Sequence, residues 1–462
     1  MAYDVKQIYN LVNDAAADAL GKNAGVAKRA TTDFVSLGKQ LSSLGLLDGW
    51  FNALAKRITK TIYFSREYNP KKRSVLRDEQ EWGAFIQKVY TKMPSASENY
   101  TWTDKPGTGA NAGKYIQHSP YDVTTSVEVK ALIFGGKGTW TIEIVRPLIQ
   151  IKQAFLSESA MFAFIDSIYV AINNSFKIEE ERVEALAVNT AMALAISRKK
   201  AINVLNIYNM EHDDAVITAD ASLANADFHK VVSSVIGETI EYMKNMSVAF
   251  SPYGWETFTP EERLVVEVLS KYAKKADVYL QSDTFHNDLT ALPNYEKVDF
   301  WQSSGKNYAF ADVSKISIEN DDIKDTTVYN SKVVEQDGIL AFIHDIESCA
   351  CCFYDKRTWE MVNPRDEVLI HGDKAEKGYG VDGNANAMVI FVQNTNPITV
   401  SGDSGAVLKY NHAYADYENS ITVSAGKVPS ASGITFTQVG STNTYTFTPA
   451  SNDAIAITVA NA

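Results

Sequence analysis

The sequence of 462 residues contains only three cysteines, and all of them lie between positions 349 and 352. Because no distant cysteine is present to close a crosslink, a disulfide scaffold is excluded and a reducing compartment is expected. The sequence also lacks an apolar run of the roughly twenty residues that span a bilayer, and it has no N-terminal signal segment. We therefore expect a soluble protein that is not exported and has no membrane partner.

The short motifs of common enzyme sites are missing too. There is no Gly-x-Ser-x-Gly, no His-Glu-x-x-His and no dinucleotide fingerprint. Gly135–Thr139 is too short for a phosphate-binding loop and precedes a predicted strand rather than a helix. Glu211–Asp214 is predicted to cap a loop after a strand rather than to bind a cation. We predict no catalytic residue, no cofactor and no metal ion, and we do not expect an enzyme.

The cysteines themselves, Cys349, Cys351 and Cys352, offer thiols that soft metals accept. A closed zinc site needs four ligands, and neither His344 nor His371 has the spacing that would complete one. The three cysteines are therefore predicted to lie in a buried strand, where they pack as small hydrophobic residues.

Charge is unevenly distributed along the chain. The net charge is -12, yet the segment Lys22–Lys92 contains 14 Lys and Arg against 6 Asp and Glu. Such a basic segment either binds nucleic acid or docks on an acidic neighbour. The segment lacks the interleaved aromatic residues and glycines of single-strand binders, and an acidic body repels phosphate. Docking on an acidic neighbour is therefore the favoured interpretation.

Hydrophobic periodicity predicts a helical stretch from about Gln153 to Lys200. Apolar residues recur there at three- and four-residue steps, at Met161, Phe164, Ile168, Ala171 and Ile172 and again at Val183, Ala187, Ala191 and Leu194. A second apolar flank, at Phe155, Phe162, Ile165 and Tyr169, predicts that the helix is packed between other elements. Asn173–Ser175 are poor helix formers, so the stretch is either one bent helix or two helices.

Other elements follow from alternation and turn signals. Before the long helix, the pattern predicts a strand at Ile58–Phe64, a short helix at Trp82–Tyr90, and a hairpin of Thr124–Phe134 with Thr139–Val145. After it, the pattern predicts strands at Ile202–Tyr208, Asp277–Leu280, Ile339–Tyr354 and Ala387–Gln393, and helices at Phe228–Met246 and Glu261–Lys275. Beyond Asn394 the chain has few charges and alternates at Ile434/Phe436, Tyr445/Phe447 and Ile455/Ile457/Val459, which predicts a small β domain.

In this order, the segments resemble the major capsid proteins of tailed phages with the Hong Kong 97-type fold. The likeness is strongest to short-tailed podoviruses of the small picovirus-like group. It extends from about Thr32 to Gln393 and rests on order and spacing. Asp33–Leu37 through Asn69–Lys72 is similar to the arm and rising strand of that family, Phe164–Ser175 to its spine helix, and Asn386–Phe391 to its closing strand.

The resemblance implies an α+β Hong Kong 97-type capsid fold with a small C-terminal all-β domain. The chain would begin with an N-terminal arm at 1–56 and an extended loop at 57–147, built as a β-hairpin with a helical insertion. The spine helix and peripheral domain would follow at 148–208 and a mainly axial domain at 209–370. Closing strands of the peripheral domain would lie at 371–394 and the C-terminal β domain at 395–462. For that last segment, relatives with an immunoglobulin-like domain at this position suggest the same fold.

The function implied by the resemblance is self-assembly, as hexamers and pentamers, into the icosahedral head that encloses double-stranded phage DNA. A scaffolding protein, the portal and non-specifically contacted DNA would be the partners, and assembly in the host bacterial cytoplasm would place the chain in the virion. The extended loop would lie across a neighbouring subunit and pair its basic residues with acidic positions there. The residues expected at this intersubunit contact are Arg66, Lys71, Lys72, Arg73 and Arg77.

Two other functions remain open at this point. A tail or fibre component whose C-terminal β domain binds a host glycan would share much of this composition. An enzyme with an unrecognised site is the second alternative, since many active sites lack short motifs. No lysine, asparagine and acid set for covalent crosslinking of a shell is identified, so no such chemistry is predicted.

Overall fold

A computed structural model describes residues 66–70, 73–78, 86–94, 105–106, 115–116, 128–134, 138–147, 158–250, 254–281, 295–302, 313–319, 333–363, 365 and 368–462. The chain divides into two compact units. The first takes its described residues from 1–70, 141–179 and 356–374, and the second from 71–140, 180–355 and 375–462. The long helix and three strands contribute residues to both units.

The strands before the long helix are β1 (Leu76–Asp78), β2 (Ile86–Thr91), β3 (Lys105–Pro106), β4 (Tyr115–Ile116), β5 (Val129–Phe134) and β6 (Gly138–Pro147). The α-helices are α1 (Glu158–Ser197), α2 (Val204–Glu211), α3 (Ala219–Ser222), α4 (Ala226–Lys244) and α5 (Ser270–Gln281). The strands between α1 and residue 394 are β7 (Ala201–Asn203), β8 (Leu264–Leu269), β9 (Glu296–Val298), β10 (Ile316–Glu319), β11 (Val333–Gln336), β12 (Ile339–Asp345), β13 (Cys349–Asn363), β14 (Val368–Val381) and β15 (Ala387–Phe391). The last strands are β16 (Ile398–Ser401), β17 (Val407–Leu408), β18 (Asn419–Thr422), β19 (Lys427–Ser430), β20 (Thr437–Gln438), β21 (Thr444–Phe447) and β22 (Ile455–Asn461). Short 3-10 turns lie at Asp213–Ala215, Glu261–Arg263 and Ile346–Ser348.

The predicted hairpin before α1 is wrong. β5 pairs antiparallel with β2, with Val129 opposite Thr91, whereas β6 is an edge strand of the sheet ordered β1–β13–β14–β6. The helix predicted at 82–90 is also wrong over residues 86–90, which belong to β2. That strand contains Ile, Val, Tyr and Thr, residue types that favour a pleated strand over a helix. The strand predicted at 58–64 lies outside the described residues.

The long helix α1 is a single helix of 40 residues, and it continues through Asn173–Ser175. The Asn174 side chain makes tertiary hydrogen bonds there: its Oδ1 accepts from the Tyr68 backbone N–H at 2.8 Å, and its Nδ2 donates to the Arg66 carbonyl at 2.8 Å. A residue with weak helix propensity therefore tethers residues 66–68 instead of breaking the helix.

Burial along α1 agrees with the predicted face only in part. From Ala187 to Ser197 every residue is buried, so this part of the helix is surrounded by other elements, as an all-round apolar pattern requires. Further towards the N-terminus, Ile172 is buried but Ala171 is exposed and Tyr169 is 55% exposed. The packing predicted on the flank of Tyr169 is therefore wrong for that residue.

The C-terminus of α1 is closed by a Schellman motif. The Lys200 N–H donates to the Ala195 carbonyl at 2.8 Å, and the Lys199 N–H donates to the Ile196 carbonyl at 3.0 Å. Lys199 has a φ of 58°, the left-handed conformation that glycine adopts most easily at this position. The chain then turns directly into β7.

A five-stranded sheet, ordered β7–β15–β12–β8–β9, forms the centre of the second unit. β12 lies in the middle and is antiparallel to β8 and β15, whereas the outer pairs β7–β15 and β8–β9 are parallel. β8 and β12 are nearly continuous buried runs, as expected for strands covered on both faces. The helix α4 contacts β12 and also packs against α2 and α5.

The structure confirms the predicted helix α4 and the predicted apolar strand β15. It corrects the predictions for three other segments. Ile202–Tyr208 is not one strand, because Asn203 caps α2 by accepting from the Leu205 N–H at 3.2 Å. The helix predicted at 261–275 begins with a 3-10 turn and β8, and α5 starts only at Ser270. Residues 277–280, predicted as a strand, lie inside α5.

The predicted strand at 339–354 is two strands separated by the 3-10 turn Ile346–Ser348. Asp345 caps that turn, since its side chain accepts from the Glu347 N–H at 2.9 Å. The predicted domain boundary at residue 371 falls within β14, and β15 shares a sheet with β12. The segments 339–345 and 387–391, which the resemblance assigned to different domains, are therefore neighbours in one sheet.

Residues 398–461 form two small sheets, β16–β22–β19 and β17–β18–β21–β20. Their buried residues make a shared apolar core: Ile398, Ala413, Ile421, Val423, Tyr445, Phe447, Ile457 and Val459. The alternation predicted at 445–447 and 455–459 lies in β21 and β22, whereas Ile434 forms only an isolated bridge with Ala431. Among the helices in the described ranges, none combines the length and apolar character needed to cross a membrane.

Candidate assembly surface

Arg73 lies in the extended chain just before β1 and is held inside the second unit. Its Nη1 is 2.8 Å from Oε2 of Glu267, its Nη2 donates to the Phe300 carbonyl at 2.9 Å, and its guanidinium carbon lies 5.5 Å from the centre of the Trp301 ring. Its backbone N–H donates to Oε2 of Glu184 at 3.1 Å. The Arg73 side chain is 10% exposed and the Glu267 side chain 0%. Arg73 thus anchors the start of β1 to its own chain.

The other predicted contact residues do not form one cluster with Arg73 in the described structure. Arg66 belongs to the first unit, where its carbonyl is held by Asn174. Arg77 lies in β1 opposite Cys351 of β13, and Lys71 and Lys72 lie outside the described residues. The role of these five residues at an intersubunit contact stays a prediction.

A second contact of the basic segment, which is partly buried, was not predicted from sequence. On β2, the Lys88 Nζ lies 2.8 Å from Oδ2 of Asp382 and 2.9 Å from Oε2 of Glu347, and Glu347 also pairs with Arg263. The Asp382 side chain is 1% exposed. Strand alternation places Lys88 on the same face of β2 as Tyr90, but no local pattern identifies partners so far away in the chain.

The electrostatics of this cluster favour its charged form. Burial by itself lowers the pKa of Lys88, but the carboxylates of Asp382 and Glu347 outweigh that effect and leave the pKa raised. The hydrogen bond from Lys88 lowers the pKa of Glu347. Two cations of the basic segment, Arg73 and Lys88, therefore bind carboxylates of their own chain, and docking of this segment on an acidic neighbour stays a prediction.

The cysteines are buried, as predicted, at the start of β13, and none of them is in a disulfide. The Cys349 Sγ donates to the Ala187 carbonyl at 3.7 Å, and burial raises the pKa of its thiol to about 12. His344 is fully buried, and burial lowers the pKa of its imidazole. Among the described residues, no group of three or more His, Cys, Asp or Glu side chains is arranged to hold a metal ion.

The polar cluster Glu211–Asp214 begins at the last residue of the helix α2, so the prediction that it follows a strand is wrong. The His212 ring stacks on Tyr208 at 4.3 Å, and Oδ2 of Asp213 accepts from Nδ2 of Asn411 at 3.3 Å. This cluster therefore helps to attach the last part of the chain. As predicted, a strand begins within the glycine-rich segment, since β6 starts at Gly138.

A family model of the Phi29-like phage major capsid protein matches residues 12–391. The chain belongs to this family. The match covers Arg73, Lys88, the whole of α1 and all five strands of the central sheet, and it ends with β15. The protein is therefore a major capsid protein, a structural component of the phage head that self-assembles into the shell and resides in the virion.

Three solved phage capsid structures are also similar to this capsid protein. The capsid structure of Staphylococcus phage Andhra is 10% identical in sequence, and the alignment covers 73% of this chain and 87% of the Andhra chain with a TM-score of 0.47. The capsid structure of cyanophage P-SCSP1u is 10% identical, and the alignment covers 77% of this chain and 98% of the cyanophage chain with a TM-score of 0.40. The mature capsid of bacteriophage PhiM1 is 8% identical, and the alignment covers 72% of this chain and 91% of the PhiM1 chain with a TM-score of 0.37. With TM-scores below 0.5 these likenesses carry no argument. None of the curated proteins compared with the chain matches it.

Proposed function

We propose that this capsid protein assembles in the host cytoplasm, as hexamers and pentamers and with a scaffolding protein and the portal, into the icosahedral head that encloses the packaged double-stranded DNA. The observation that carries the proposal is the family match over residues 12–391, which spans both the basic segment and the central sheet. The rest of the chain is acidic and would repel the phosphates of packaged DNA, so that the DNA does not adhere to the inside of the shell.

The proposed architecture is of the Hong Kong 97 type, with α1 as the spine helix and residues 395–462 as an appended β domain. The order of the described elements supports it: the ribbon β2–β5 precedes a 40-residue helix, and a mixed five-stranded sheet follows. Membership of the picovirus-like group of short-tailed phages, and an immunoglobulin-like fold for residues 395–462, belong to the same proposal.

The test is electron microscopy of the full chain coexpressed with the scaffolding protein of the same phage. We expect uniform closed shells, since many weak contacts between identical subunits sum to a stable closed assembly. Trimeric rods would instead favour a tail or fibre component. Persistent monomers or open tubes would also contradict the proposal.

A charge reversal tests the predicted contact of the extended loop. The double variant Lys71→Glu, Lys72→Glu should fold as the wild type does but fail to assemble, because it reverses the field at a contact between subunits. Arg73 is left unchanged, since a carboxylate at that position would face Glu267 inside the chain. Circular dichroism and sedimentation separate folding from assembly. Normal shells from the double variant would show that these lysines are not at a contact.

A further inference from the structure

The helix α5 has a basic outer face. Its inner side, formed by Tyr272, Ala273 and Ala276, is buried. The opposite side carries three exposed lysines: Lys271, Lys274 and Lys275. Residues three and four positions apart are neighbours on a helix surface, so the three ammonium groups share one side of α5. These three residues are the lysine face.

The lysine face is not neutralised by the chain itself. Within the described ranges, none of its three lysines forms an ion pair or a side-chain hydrogen bond. Other exposed lysines in those ranges commonly bind a carboxylate, as Lys199, Lys230 and Lys297 do. Lys271 and Lys275 are also four residues apart, a spacing at which like charges destabilise a helix. The face therefore concentrates positive charge that no described carboxylate of the same chain offsets.

The helix that presents these lysines is held in place near both of its ends. Ser270 Oγ donates to Oδ1 of Asp299 at 2.9 Å. Asp277, the one carboxylate of α5, accepts from the Tyr295 hydroxyl at 3.0 Å and from Lys297 Nζ at 3.0 Å. The only acidic group of the helix is thus engaged with β9 and the residue before it. A fixed helix lowers the entropy that is lost when a partner binds to its outer face.

An unpaired basic face on a chain with a net charge of -12 fits a polyanion, and its composition favours phosphates over protein carboxylates. Arginine matches single carboxylates through a fixed fork of hydrogen bonds, and α5 contains no arginine. Lysines are mobile point charges that follow phosphates without a fixed register. The three positions span about 6 Å of the helix axis, a length over which double-stranded DNA carries about three or four charges.

We propose that the lysine face of α5 contacts the phosphate backbone of the packaged double-stranded DNA. The contact is independent of base sequence, because it neutralises phosphates and reads no base edge. The acidic surface elsewhere repels the duplex, so contact is confined to the lysine faces and each one stays weak. The inference rests on the proposed function, since it requires a shell that is filled with double-stranded DNA.

The test measures the binding of a short fluorescein-labelled DNA duplex to the full chain by fluorescence anisotropy at several salt concentrations. The triple variant Lys271→Gln, Lys274→Gln, Lys275→Gln should keep the wild-type circular dichroism spectrum and thermal midpoint. It should bind the duplex at least about tenfold more weakly at about 50 mM salt. Its plot of log K against log salt should be shallower by about 2 to 3, since each neutralised phosphate contributes about 0.9 to the slope.

A second triple variant, Lys92→Gln, Lys199→Gln, Lys315→Gln, is the matched control. It loses the same three positive charges, but each of these lysines pairs with a carboxylate: Glu128, Asp416 and Glu335. The control should bind the duplex as the wild type does. Equal weakening in both triple variants would show that only net charge matters, and the inference would be wrong.

The remaining outcomes are also decisive. A wild type that does not bind the duplex at about 50 mM salt, or an unchanged salt slope in the α5 variant, would overturn the inference. Poly-glutamate that binds more tightly than the duplex through the same lysines would assign the face to an acidic protein segment instead.

Electron microscopy separates this inference from the proposed function. Absence of closed shells from the wild type with its scaffolding protein would overturn the proposed function, whatever the lysine face binds. In filled particles, electron cryomicroscopy should place α5 on the inner surface beside the outermost layer of DNA. Closed shells with α5 on their outer surface would overturn only this inference.

Discussion

At the residue scale, Arg73 and Glu267 form an ion pair with little access to water at either end, 194 residues apart in the chain. Removing charges from water costs several kcal/mol per ion, and a buried pair is tolerated only where further hydrogen bonds satisfy its groups. The Phe300 carbonyl and the Trp301 ring supply such contacts to the guanidinium. The pair therefore fixes where the chain enters β1.

Replacing Arg73 by alanine tests this anchoring role. Arg73→Ala leaves the Glu267 carboxylate buried without its partner and should destabilise the protein by about 3–5 kcal/mol, measured as a shift in the urea unfolding transition. Lys92→Ala is the control, since its ion pair with Glu128 is exposed at both ends and should contribute no more than about 1 kcal/mol. Equal stability of the two variants would contradict the anchoring role and leave Arg73 available to a neighbouring subunit.

At the scale of elements, the ribbon β2–β5 is a separate two-stranded sheet, and such a pair is marginally stable in water by itself. Lys88 attaches β2 to Asp382 and Glu347 in the same unit. The attachment therefore depends on ionised groups as well as on packing.

The pH dependence of the ribbon follows from the two pKa shifts. The pKa of Glu347 is lowered from 4.5, so its contribution to stability is present above pH 4.5 and is lost as the pH falls through the lowered value. The pKa of Lys88 is raised from 10.5, so its contribution is present below pH 10.5 and is lost as the pH rises through the raised value. The thermal midpoint of the wild type should exceed that of Lys88→Met most between these limits. A difference that stays constant below pH 4 would contradict the assignment.

The hydrogen bonds of Asn174 give a prediction about α1 and the chain at residues 66–68. Asn174→Ala should preserve the helix, because alanine is the better helix former, but it removes both hydrogen bonds to the Arg66 carbonyl and the Tyr68 N–H. Trypsin should therefore cleave after Arg66 several-fold faster than in the wild type. Asn173→Ala is the control, since within the described structure its side chain has no hydrogen bond to residues 66–70. Equal cleavage rates in both variants would contradict the tether.

The sequence predicted α4, β15 and the second half of α1 because each has a strong period or a long apolar run. It failed over 261–281, where Val265, Val266 and Val268 of β8 are followed directly by α5, and a short apolar run fits either a strand or a helix. It also failed for β5, because local alternation shows that a strand exists but not that its partner is β2. Pairing between distant segments is decided by tertiary contacts.

At the scale of the whole molecule, the family match ends at residue 391, and residues 398–461 pack around an apolar core of their own. That segment is attached to the rest of the second unit through polar groups. Asn206 Nδ2 donates to Oδ1 of Asn452 at 3.2 Å, and Lys199 pairs with Asp416 at 3.1 Å. Polar attachments of this kind are typical of the interfaces between domains of one chain.

We therefore predict that residues 395–462 fold when expressed alone. The isolated segment should give dispersed amide signals and a cooperative thermal transition, although its small size limits its stability. Tyr445→Ala is the control, since Tyr445 belongs to the apolar core and its loss should abolish the transition. A chain that remains disordered before any substitution would contradict an independent domain.

For the candidate assembly surface, the sequence showed only that one segment has an excess of basic residues. The excess of basic residues in Lys22–Lys92 indicated acidic partners, and the structure supplies such partners for Arg73 and Lys88 within the chain itself.

The buried cysteines have a practical consequence for labelling. Maleimide and iodoacetamide reagents consume the thiolate, and burial with a pKa of about 12 keeps Cys349 protonated at the pH at which these reagents are used. Cys351 and Cys352 are also buried, and neither is in a disulfide. A cysteine introduced at an exposed position such as Val407 would therefore be the one thiol that reacts in the folded chain. Dyes or gold clusters attached there would mark each subunit at a defined position, without first removing the native cysteines.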